Sequence, residues 1–503
     1  MTTYFVVALI GFVFSVIATL IVRPVAIWFG LVDHPDGYRK LHKRSTPLGG
    51  GLAIFVATTL AMTVAYVIPN PLRDIVREHS GFLGMLFASA FVLMIVGIVD
   101  DRFSIRARHK LFGQIVAVAI LLFSGMQIGT IGVFGLAIHL GLLAIPFTVF
   151  WLLGAINSLN LLDGVDGLAT TIGLILATTT GALSVYQGHA ESAVISFAMV
   201  GALLGFLCFN FPPAKIFLGD AGSMLIGLVI GVVAIRGSLK GTATVALAAP
   251  LAIWAIPIFD TSAAILRRKL TARSLNSTDR NHLHHSLMAI FGSNVKTVGI
   301  VGLCCTVTCA GALFGVFLGS DFFAIVTVMA VIGILVSSRV FGYIELLHVG
   351  RHIRSLSRNW LTLRKQTVET PVFHDKVSLD ESEEWDDVWM KLTQAAEKHQ
   401  LIQLSMNVVL PYSGKQFHAN WQRPHWEKTK LWRTEIPLLS DERVVGKIVF
   451  LGERDDICTS ELLGRLFTDL QSSEMQIREL IASEQADVET DQELIHATTD
   501  EEL

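Results

Sequence analysis

The chain has 503 residues, of which 52% are hydrophobic and 16% charged, and its formal net charge is -3. Soluble globular proteins carry roughly 25% charged residues, so this composition excludes an ordinary soluble protein along the whole length. The apolar stretches lie before about residue 348, whereas the remainder has the composition of a soluble domain. Because the net charge sums two unlike parts, it says little about partners, and no nucleic-acid partner is predicted.

Eleven stretches are long and apolar enough to be transmembrane helices, which need about 20 residues each. They lie near residues 4–22, 48–68, 81–99, 111–125, 136–156, 167–186, 192–210, 221–236, 243–266, 296–318 and 322–347. The first has no basic segment before it and no small-residue cleavage site after it, which predicts a retained helix and not a signal peptide. The sequence therefore predicts an all-α polytopic membrane protein with about eleven transmembrane helices.

Basic residues gather after the first, third and ninth apolar stretches, in segments that contain Arg39, Arg106 and Arg280 respectively. Lys and Arg are enriched in the cytoplasmic loops of membrane proteins. These three loops are therefore predicted to be cytoplasmic, with the N-terminus outside and the long C-terminal part inside. The polar motifs of the chain all fall on this predicted cytoplasmic side.

Two adjacent carboxylates, Asp100 and Asp101, end the third apolar stretch. They repel each other, they are costly near hydrocarbon, and the helix dipole disfavours anions at a C-terminal end. Such a pair needs a cation. A bound divalent metal ion would serve, and so would the neighbouring Arg102 and Arg106.

The segment NSLNLLDGVDGLA follows the fifth apolar stretch. Asn157, Asn160 and Asp163 recur every three residues, so one face of a helical turn would carry all of them. Asp166 follows three residues later. Two Asp-Gly pairs alone would fit a simple turn between helices, but a turn does not explain the two asparagines. The pattern favours a functional site.

Asp220 lies between glycines in the segment FLGDAGS, at the predicted start of the eighth helix. Free N–H groups at a helix N-terminus suit a phosphate, and Asp220 could hold the metal ion that bridges it. A helix N-cap formed by Asp220 or Ser223 would have the same geometry. This motif alone does not decide between the two interpretations.

Basic and histidine side chains occur in two of the predicted cytoplasmic loops. They are Arg39 and Lys40 in the first loop, and Arg280, His282, His284 and His285 in the ninth. The histidines lack the pattern of a zinc site and suit an anionic ligand such as diphosphate, whereas the positive-inside rule explains the first loop equally well. We predict that these residues contact substrate phosphates. Acidic clusters for a hard cation and basic ones for phosphates are the combination that phosphoryl transfer needs.

The order of these motifs resembles that of the polyprenyl-phosphate N-acetylhexosamine-1-phosphate transferases. The Asp-Asp pair, the NxxNxxDGxDGL run, the GDxGS turn and the HxHH loop follow one another as in this family, between about residues 31 and 285. The resemblance implies an all-helical membrane fold, dependence on Mg²⁺ or Mn²⁺, a cleft open to the cytoplasm, and a homodimer. It also implies that the substrates are a polyprenyl phosphate and a UDP-sugar.

The resemblance also implies roles for individual residues. Asp220 resembles the metal ligand on the donor diphosphate, Asp100 the base that ionises the polyprenyl phosphate with Asp101 in support, and Lys110 a lysine that contacts phosphate. Asn157, Asn160, Asp163 and Asp166 match positions that line the nucleotide and metal pocket, and we predict that the two aspartates are catalytic. His282, His284 and His285 match the loop that holds the phosphates and sugar of the donor.

The histidine loop distinguishes two branches of the superfamily. Phospho-MurNAc-pentapeptide translocases of peptidoglycan synthesis typically have three consecutive histidines after a proline, whereas DRNHLHH in this chain resembles the branch that uses N-acetylglucosamine and undecaprenyl phosphate. The resemblance implies transfer of N-acetylglucosamine-1-phosphate, or a related sugar phosphate, from a UDP-sugar to undecaprenyl phosphate at the bacterial inner membrane, with release of UMP. The translocase reaction is the alternative.

Two functions without catalysis were also considered. A transporter would place its ionisable residues near the middle of the bilayer, in halves related by symmetry. The carboxylates of this chain lie at the ends of its apolar stretches, and the sequence shows no internal repeat. A membrane scaffold would need no acidic clusters at all. An enzyme explains the motifs better than either.

The predicted organisation is a transmembrane transferase domain (1–348), a basic juxtamembrane linker (349–371), a cytoplasmic α+β domain (372–483) and an acidic disordered tail (484–503). Within the α+β domain, the hydrophobic pattern predicts a helix near 382–399, strands near 401–410, 430–437 and 443–452, and a helix near 459–482. Typical family members end soon after the last span. This domain is therefore an addition, for which we consider regulation or docking of the next glycosyltransferase.

Overall fold

The computed structural model of the chain describes residues 2–33, 45–133, 136–237, 239–240, 244–246, 248–270, 282–338, 340–341, 374–378, 383–409, 416–423, 431–440, 443–453 and 480. The chain divides into two compact units. The first comprises Met1–Ala264 and Thr278–Tyr343, and the second comprises Ile265–Ser277 and Ile344–Leu503. The predicted linker at 349–371 and tail at 484–503 lie outside the described residues.

Helices make up most of the chain before residue 340. They are α1 (Thr2–Trp28), α2 (Gly50–Val67), α3 (Arg73–Glu78), α4 (Ser80–Phe103), α5 (Ala107–Phe123), α6 (Ala144–Leu162), α7 (Leu168–Gln187), α8 (Ala190–Asn210), α9 (Gly219–Arg236), α10 (Ala248–Ile253), α11 (Ala255–Leu270), α12 (Leu283–Phe291), α13 (Asn294–Phe317) and α14 (Asp321–Ser337). In the described part of the chain, eight helical segments are long and apolar enough to cross a membrane: α1, α2, α4, α6 with its preceding turn, α7, α8, α9 and α13. The chain is therefore a multi-pass membrane protein.

The predicted count of eleven spans is not confirmed among the described residues. The helices α5 and α14 have 17 residues each, and the ninth apolar stretch is divided between α10 and α11. The fifth stretch was predicted to begin as a helix near residue 136, which is wrong. Leu136–His139 form a strand paired with Thr130–Val133, and α6 begins only at Ala144. Hydropathy alone does not distinguish a short apolar strand from a helical turn.

The first helix, α1, packs closely against α8 because small residues line the contact. Ser15 Oγ donates a hydrogen bond of 2.6 Å to the carbonyl oxygen of Ala202, and a Cβ atom at Gly201 would overlap the carbonyl oxygen of Ala8. In a lipid environment, close packing and interhelical hydrogen bonds hold helices together, since lipid tails are as apolar as the side chains. This contact fixes α1 on the rest of the unit.

The helix α9 lies at the centre of the first unit, and its residues from Ala221 to Ile235 are all buried. It packs against α2, α4 and α6. A Cβ atom at Gly97 of α4 would overlap Ala221, and one at Gly227 would lie 2.6 Å from the carbonyl oxygen of Ala155 in α6. These close approaches bring the ends of α4 and α6 beside the first turn of α9.

Short strands connect the helices at two places. The strand β1 (Val32–Asp33) pairs antiparallel with β2 (Thr46–Pro47), close to the start of α9, where Leu48 bridges Phe217. A second sheet contains β3 (Thr130–Val133), β4 (Leu136–His139), β5 (Leu239–Lys240) and β6 (Thr244–Ala246) in the order β4-β3-β6-β5. It joins the segment after α5 to the segment after α9.

The described part of the second unit contains one longer helix and one antiparallel sheet. The helix is α15 (Glu383–Lys398), and the strands are β7 (His374–Ser378), β8 (Gln403–Val409), β9 (Gln416–Gln422), β10 (Leu431–Ser440) and β11 (Arg443–Glu453). The strand order is β10-β11-β8-β9-β7. Trp389 of the helix and Trp421 and Phe450 of the sheet belong to its hydrophobic core.

The predicted helix near 382–399 and the strands near 401–410, 430–437 and 443–452 agree with α15, β8, β10 and β11. The hydrophobic pattern of the sequence does not predict β7 or β9. Their residues, HDKVS and QFHANWQ, are mostly polar, and pairing with neighbouring strands makes them part of the sheet. The predicted helix near 459–482 falls outside the described residues except for Leu480.

Candidate active site

The polar ends of four helices meet at one end of the first unit. The carboxyl ends of α4 and α6 and the amino ends of α5 and α9 lie together there, joined by hydrogen bonds between their side chains. Helix ends leave backbone groups unpaired, so polar side chains gather around them. We call the side chains that connect these ends the helix-end cluster: Asp100, Asp101, Lys110, Asn160 and Asp220.

Lys110, in the first turn of α5, lies at the centre of the helix-end cluster. Its Nζ atom is 2.9 Å from Asp100 Oδ2 and 2.6 Å from Asp220 Oδ2. It also donates a hydrogen bond of 2.9 Å to Asn160 Oδ1. One ammonium group therefore links α4, α6 and α9, and it offsets the repulsion between two carboxylates.

The second oxygen of Asp220 contacts Asn160. The Asn160 amide donates 2.7 Å to Asp220 Oδ1 and 2.9 Å to Ser223 Oγ. Both oxygens of Asp220 are thus oriented, one by a cation and one by an amide. Its carboxylate does not cap its own helix, because the amides at the start of α9 have a different acceptor.

That acceptor is Asp101. Its carboxylate accepts hydrogen bonds from the backbone N–H of Asp220 at 2.8 Å and of Ala221 at 3.5 Å. Gly219 precedes them with φ +74°, and a Cβ atom there would lie 2.6 Å from Asp101 Oδ2. Only glycine combines this left-handed backbone with so close a carboxylate. Asp101 therefore caps α9 from the end of α4 and sets the position of Asp220.

Asp100 uses its two oxygens differently. Oδ2 pairs with Lys110, and Oδ1 accepts a hydrogen bond of 2.9 Å from the Ile105 N–H. The chain turns back after α4 through Ser104, whose φ is +49°. This turn brings the start of α5 next to the end of α4, so Asp100 and Lys110 meet although ten residues separate them.

The DGVDG segment after α6 contributes two carboxylates with different surroundings. Burial, together with the carboxylates of Asp220 and Asp101, raises the pKa of Asp163 well above its usual range. Asp166 Oδ2 instead accepts a hydrogen bond of 3.0 Å from the Ala214 N–H. Asp163 is therefore part of the electrostatic environment of Asp220, whereas Asp166 fastens the loop between α8 and α9.

Asn157 lies one turn before Asn160 on α6, and its amide pairs with that of Gln114. Asn157 Nδ2 donates 2.8 Å to Gln114 Oε1, and Gln114 Nε2 donates 3.2 Å to Asn157 Oδ1. Gln114 is buried and lies four residues after Lys110, on the same face of α5. The pair braces α5 against α6 beneath the helix-end cluster.

The histidines lie at the start of α12, close to the DGVDG segment. A Cβ atom at Gly164 would lie 2.5 Å from His284 Nε2, so the glycine leaves room for this ring. The rings of His282 and His284 are parallel, with centroids 5.7 Å apart, and the ring of His285 lies 4.3 Å from that of His284. The histidine loop and the NxxNxxDGxDGL run are therefore neighbours in space.

His284 is buried, and neither of its ring nitrogens has a hydrogen-bond partner in the described part of the chain. Burial lowers its pKa well below the usual range, and the charges of His285 and His282 add to this effect. The ring is therefore neutral at pH 7 and can donate one hydrogen bond and accept another. Buried polar groups normally have partners, so these two nitrogens suit a ligand.

The structure brings most of the predicted site residues together. Lys110, Asn160 and Asp163 lie around Asp220, and His284 lies against Gly164 of the DGVDG segment. Arg39, Lys40 and Arg280 lie outside the described residues, and their predicted substrate contacts stay predictions.

Three residues of this region were not predicted from the sequence: Gln114, Ser223 as a contact of Asn160, and Asp260. Asp260 is a carboxylate within an apolar stretch, which by itself indicates a functional position. Gln114 could be found from its four-residue spacing to Lys110.

The oxygen donors of the cluster fit a hard divalent cation. Mg²⁺ generally takes one or two carboxylates together with substrate phosphates. The side chain of Asp220 is 33% exposed, so part of its carboxylate can be approached. Among the described residues, no three His, Cys, Asp or Glu side chains are arranged to hold a metal ion by themselves. The donor set therefore fits a metal ion that is shared with a phosphate ligand.

Similarity to known proteins covers this region. A family model described as Glycosyl transferase family 4 matches residues 83–238. The chain is 33% identical over 300 residues to a probable undecaprenyl-phosphate N-acetylglucosaminyl 1-phosphate transferase of Bacillus subtilis, covering 58% of this chain and 81% of that relative. It is 34% identical over 351 residues to a decaprenyl-phosphate N-acetylglucosaminephosphotransferase of Mycolicibacterium smegmatis, covering 65% and 86% respectively.

A third relative is the undecaprenyl-phosphate alpha-N-acetylglucosaminyl 1-phosphate transferase of Yersinia pestis, which is 32% identical over 284 residues, covering 55% of this chain and 74% of the relative. The apolar helices and these relatives place the chain among multi-pass membrane enzymes that transfer a sugar phosphate. The chain belongs to the family of polyprenyl-phosphate N-acetylhexosamine-1-phosphate transferases. This confirms the resemblance inferred from the order of the motifs.

Proposed function

We propose that the chain transfers N-acetylglucosamine-1-phosphate from UDP-N-acetylglucosamine to undecaprenyl phosphate and releases UMP, as the first step of a lipid-linked surface glycan. The observation that carries this proposal is the Lys110 ammonium held between Asp100 and Asp220 where the helix ends meet. The three relatives are named for transfer of this same sugar phosphate to undecaprenyl or decaprenyl phosphate. Their names favour this donor over the MurNAc-pentapeptide alternative.

In this reaction an oxygen of the lipid phosphate bonds to the phosphorus that carries the sugar. The bond from that phosphorus to the bridging oxygen breaks, and UMP leaves with this oxygen. Negative charge is spread over phosphate oxygens throughout, so catalysis consists mainly of alignment and charge neutralisation. Lys110 supplies a fixed positive charge that can contact the phosphates of both substrates.

Asp100 acts on the lipid phosphate. Its carboxylate is fixed by Lys110 on one oxygen and by the Ile105 N–H on the other, which suits a base that takes the proton from a singly protonated phosphate. Asp101 supports the site by capping α9. Asp163 lies next to these groups as a further catalytic carboxylate, and the contact of Asp166 with Ala214 supports a role in shaping the pocket.

Asp220 would hold Mg²⁺ or Mn²⁺ together with the donor diphosphate. Bound there, such an ion would supply positive charge for the phosphate oxygens. Lys110 and Asn160 hold the two oxygens of Asp220 in a fixed orientation. The carboxylate is thus prepared for a cation before the substrate arrives.

The histidine segment forms the donor side of the site. Both ring nitrogens of His284 lack a partner among the described residues, and Nε2 lies beside Gly164. They suit hydroxyl, amide or phosphate groups of the UDP-sugar. His282, His285 and Asn157 complete this side, and Arg39, Lys40 and Arg280 from the flanking loops contact phosphate.

The donor is tested directly with a panel of UDP-sugars. Membranes that contain the chain are incubated with labelled polyprenyl phosphate and each UDP-sugar in turn, and both UMP release and the lipid product are measured. UDP-N-acetylglucosamine should give the fastest transfer. Preferential use of UDP-MurNAc-pentapeptide would establish the translocase reaction in its place, and no product from any UDP-sugar would reject the proposed function.

The site faces the cytoplasm in this proposal, with the N-terminus outside. The grouping of Lys and Arg in the loops on the side of the cluster supports this orientation. Two cysteine substitutions test the orientation. Arg106→Cys places a thiol near the helix-end cluster, and Gly188→Cys places one after the last residue of α7. In a background without native cysteines, an impermeant thiol reagent applied to intact cells should label only Gly188→Cys. Labelling of Arg106→Cys alone would reverse the orientation.

Two partners complete the proposal. A homodimer follows from the resemblance to the family, and cross-linking in membranes tests it. Docking of a downstream glycosyltransferase on the second unit follows only from its position in the chain, after the membrane helices.

A further inference from the structure

Asp260, in α11, is a completely buried carboxylate, with a relative exposure of 0%. Its Oδ2 atom lies 2.7 Å from Nδ1 of His282. Its Oδ1 atom accepts a hydrogen bond of 2.7 Å from the backbone N–H of Leu283. Both oxygens therefore contact the first residues of α12, which follow 22 and 23 residues later in the chain.

These contacts fix one ring and one helix end. A carboxylate only accepts hydrogen bonds when it is ionised, so Nδ1 of His282 donates to Asp260, and Nε2 is the ring nitrogen that does not contact this carboxylate. The Leu283 N–H is one of the unpaired amides at the start of α12, which Asp260 caps from another helix. A buried carboxylate without such partners would be strongly unfavourable.

The ring that Asp260 fixes leads directly to the site. His282 lies parallel to His284 with 5.7 Å between ring centroids, and His284 lies against Gly164 of the DGVDG segment. The order of contacts is therefore Asp260, His282, His284 and then the segment that carries Asp163.

We propose that Asp260 is a positioning residue for the nucleotide-sugar donor. It holds the ring of His282 and the start of α12 in the orientation in which the histidines bind the donor, and it does not itself touch substrate. This inference rests on the proposed function, in which the histidine segment holds the donor.

The substitution Asp260→Asn separates positioning from simple capping. The Asn oxygen can still accept the hydrogen bond from Leu283, so the cap of α12 is retained. Its amide group, however, presents a donor to Nδ1 of His282 and removes the negative charge beside the ring. Nδ1 must then accept, and the ring proton moves to Nε2, which changes what the ring offers to the donor.

The test is a double-mutant cycle on the purified full chain with Asp260→Asn, His282→Gln and the double variant. Each single substitution should raise the KM for UDP-N-acetylglucosamine by about tenfold, the loss expected for a hydrogen bond to a charged group. The KM for polyprenyl phosphate should change by less than about twofold, a far smaller effect. The double variant should be no worse than His282→Gln alone, because Asp260 acts through His282.

Glu191→Gln is the matched control. Glu191 is also a buried carboxylate of the first unit, but it pairs with Arg236 at 3.4 Å, at the end of α9 away from Asp220. Its substitution should leave the KM for the donor unchanged. An equal rise in this control would show that loss of a buried carboxylate disturbs the whole unit, and it would overturn the inference.

The outcomes distinguish the inference from the proposed function. If His282→Gln raises the KM for the donor but Asp260→Asn does not, or if their effects multiply, the positioning role is wrong and the proposed function stands. If His282→Gln leaves the KM unchanged, the donor role of the histidines fails together with the inference. Absence of transfer from UDP-N-acetylglucosamine by the wild type rejects the proposed function itself.

The inference can still be tested if Asp260→Asn fails to fold. If Asp260→Asn does not fold, Asp260→Glu retains the carboxylate one methylene further out, and a folded Glu variant with a raised donor KM and an unchanged KM for the lipid supports positioning. If neither variant folds, Asp260 maintains the fold and the inference is overturned.

Discussion

At the scale of single residues, the charges of the helix-end cluster do not balance. Asp100 and Asp220 share one ammonium group, that of Lys110, and the carboxylate of Asp101 lies beside them at the backbone N–H of Asp220. Backbone amides and Asn160 offset part of the remaining negative charge, but two phosphate substrates would add more. Carboxylates and phosphates this close repel each other strongly unless a cation lies between them. A divalent ion at Asp220 would supply the missing positive charge.

Removal of the metal ion is therefore predicted to abolish activity. Turnover should stop with EDTA and return with Mg²⁺ or Mn²⁺. Asp220→Asn should lose metal-dependent turnover, because a neutral amide is a poorer ligand for a hard cation. Asp100→Asn should still bind the donor but transfer at least about a hundredfold more slowly, the usual contribution of a general base. Rates are measured as UMP release and donor binding by calorimetry.

Asp387→Asn, on the surface of the second unit, is the control for these substitutions and should retain the wild-type rate. Turnover without any metal ion, or near-normal rates for both site variants, would show that the mechanism is wrong while leaving the fold intact. A loss confined to Asp163→Asn would move the metal ion to the NxxNxxDGxDGL face.

Gly219 tests the capping of α9 by Asp101. Alanine at this position must adopt φ near +74° and place its Cβ atom 2.6 Å from Asp101 Oδ2, so either the carboxylate or the start of α9 must move. A shift of about 1 Å at a reacting group can lower the rate about a hundredfold. We therefore expect the turnover rate of Gly219→Ala to be about a hundredfold below that of the wild type.

The matched control is Gly188→Ala. Gly188 also has a positive φ, +81°, but a Cβ atom there meets nothing within 4 Å. The strain cost alone, about 1 kcal/mol, should lower the thermal midpoint slightly and spare activity. Equal activity of the two variants would show that Asp101 does not control the position of Asp220.

At the scale of helices, the close contact between α1 and α8 depends on glycine, in particular on Gly201. Gly201→Ala should destabilise the protein by about 1–3 kcal/mol, as overpacking does in a close contact, because its Cβ atom overlaps the carbonyl oxygen of Ala8. Thermal unfolding in detergent, followed by light scattering, measures the change.

Gly154→Ala provides the comparison for this contact. Gly154 lies in α6, and a Cβ atom there meets nothing within 4 Å, so its substitution should leave the midpoint unchanged or raise it slightly. A midpoint for Gly201→Ala that equals that of Gly154→Ala would mean that α1 is not closely packed on α8.

The sequence predicted which polar residues come together better than it predicted the helices. Asp100, Lys110, Asn160 and Asp220 come from separate segments, and their convergence follows from placing every motif at one membrane face. Contacts that depend on the packing of two helices were not predictable from one segment: the spacing of Gln114 from Lys110 indicates a shared helix face, but not the pairing of Gln114 with Asn157. Asp260 was readable as an isolated carboxylate in an apolar stretch, but its partner His282 was not.

Hydropathy could not fix the lengths of the apolar elements. The stretch near 136–156 contains the strand β4 before α6 begins at Ala144, because pairing with β3 satisfies backbone groups that hydropathy does not consider. The polar strands β7 and β9 were missed for the same reason. Element boundaries depend on hydrogen-bond partners that are distant in sequence.

At the scale of the whole molecule, every residue assigned to chemistry lies before residue 286. A chain that ends after Lys365 should therefore retain transferase activity in membranes, with kcat within about twofold of the full chain, a change below 0.5 kcal/mol in the barrier. The second unit has its own hydrophobic core around Trp421, formed by described residues that all lie after Lys365. The truncation therefore removes no residue of the hydrophobic core of the first unit. Complete loss of activity in a truncated chain that inserts at normal levels would show that the division into domains is wrong.

Whether the helix-end cluster transfers the sugar phosphate is tested most directly by one assay on Lys110→Met. The purified wild type, this variant and the control Lys296→Met, an exposed lysine of α13, receive UDP-N-acetylglucosamine and undecaprenyl phosphate, and UMP and lipid product are measured together. In the wild type and in the control, the amount of UMP released should equal the amount of lipid product formed, and the two proteins should have the same rate. Lys110→Met should be slower by at least about a hundredfold, the loss expected when a fixed charge near the reacting phosphates is removed. A wild-type rate in Lys110→Met would contradict the assignment of transfer to this cluster.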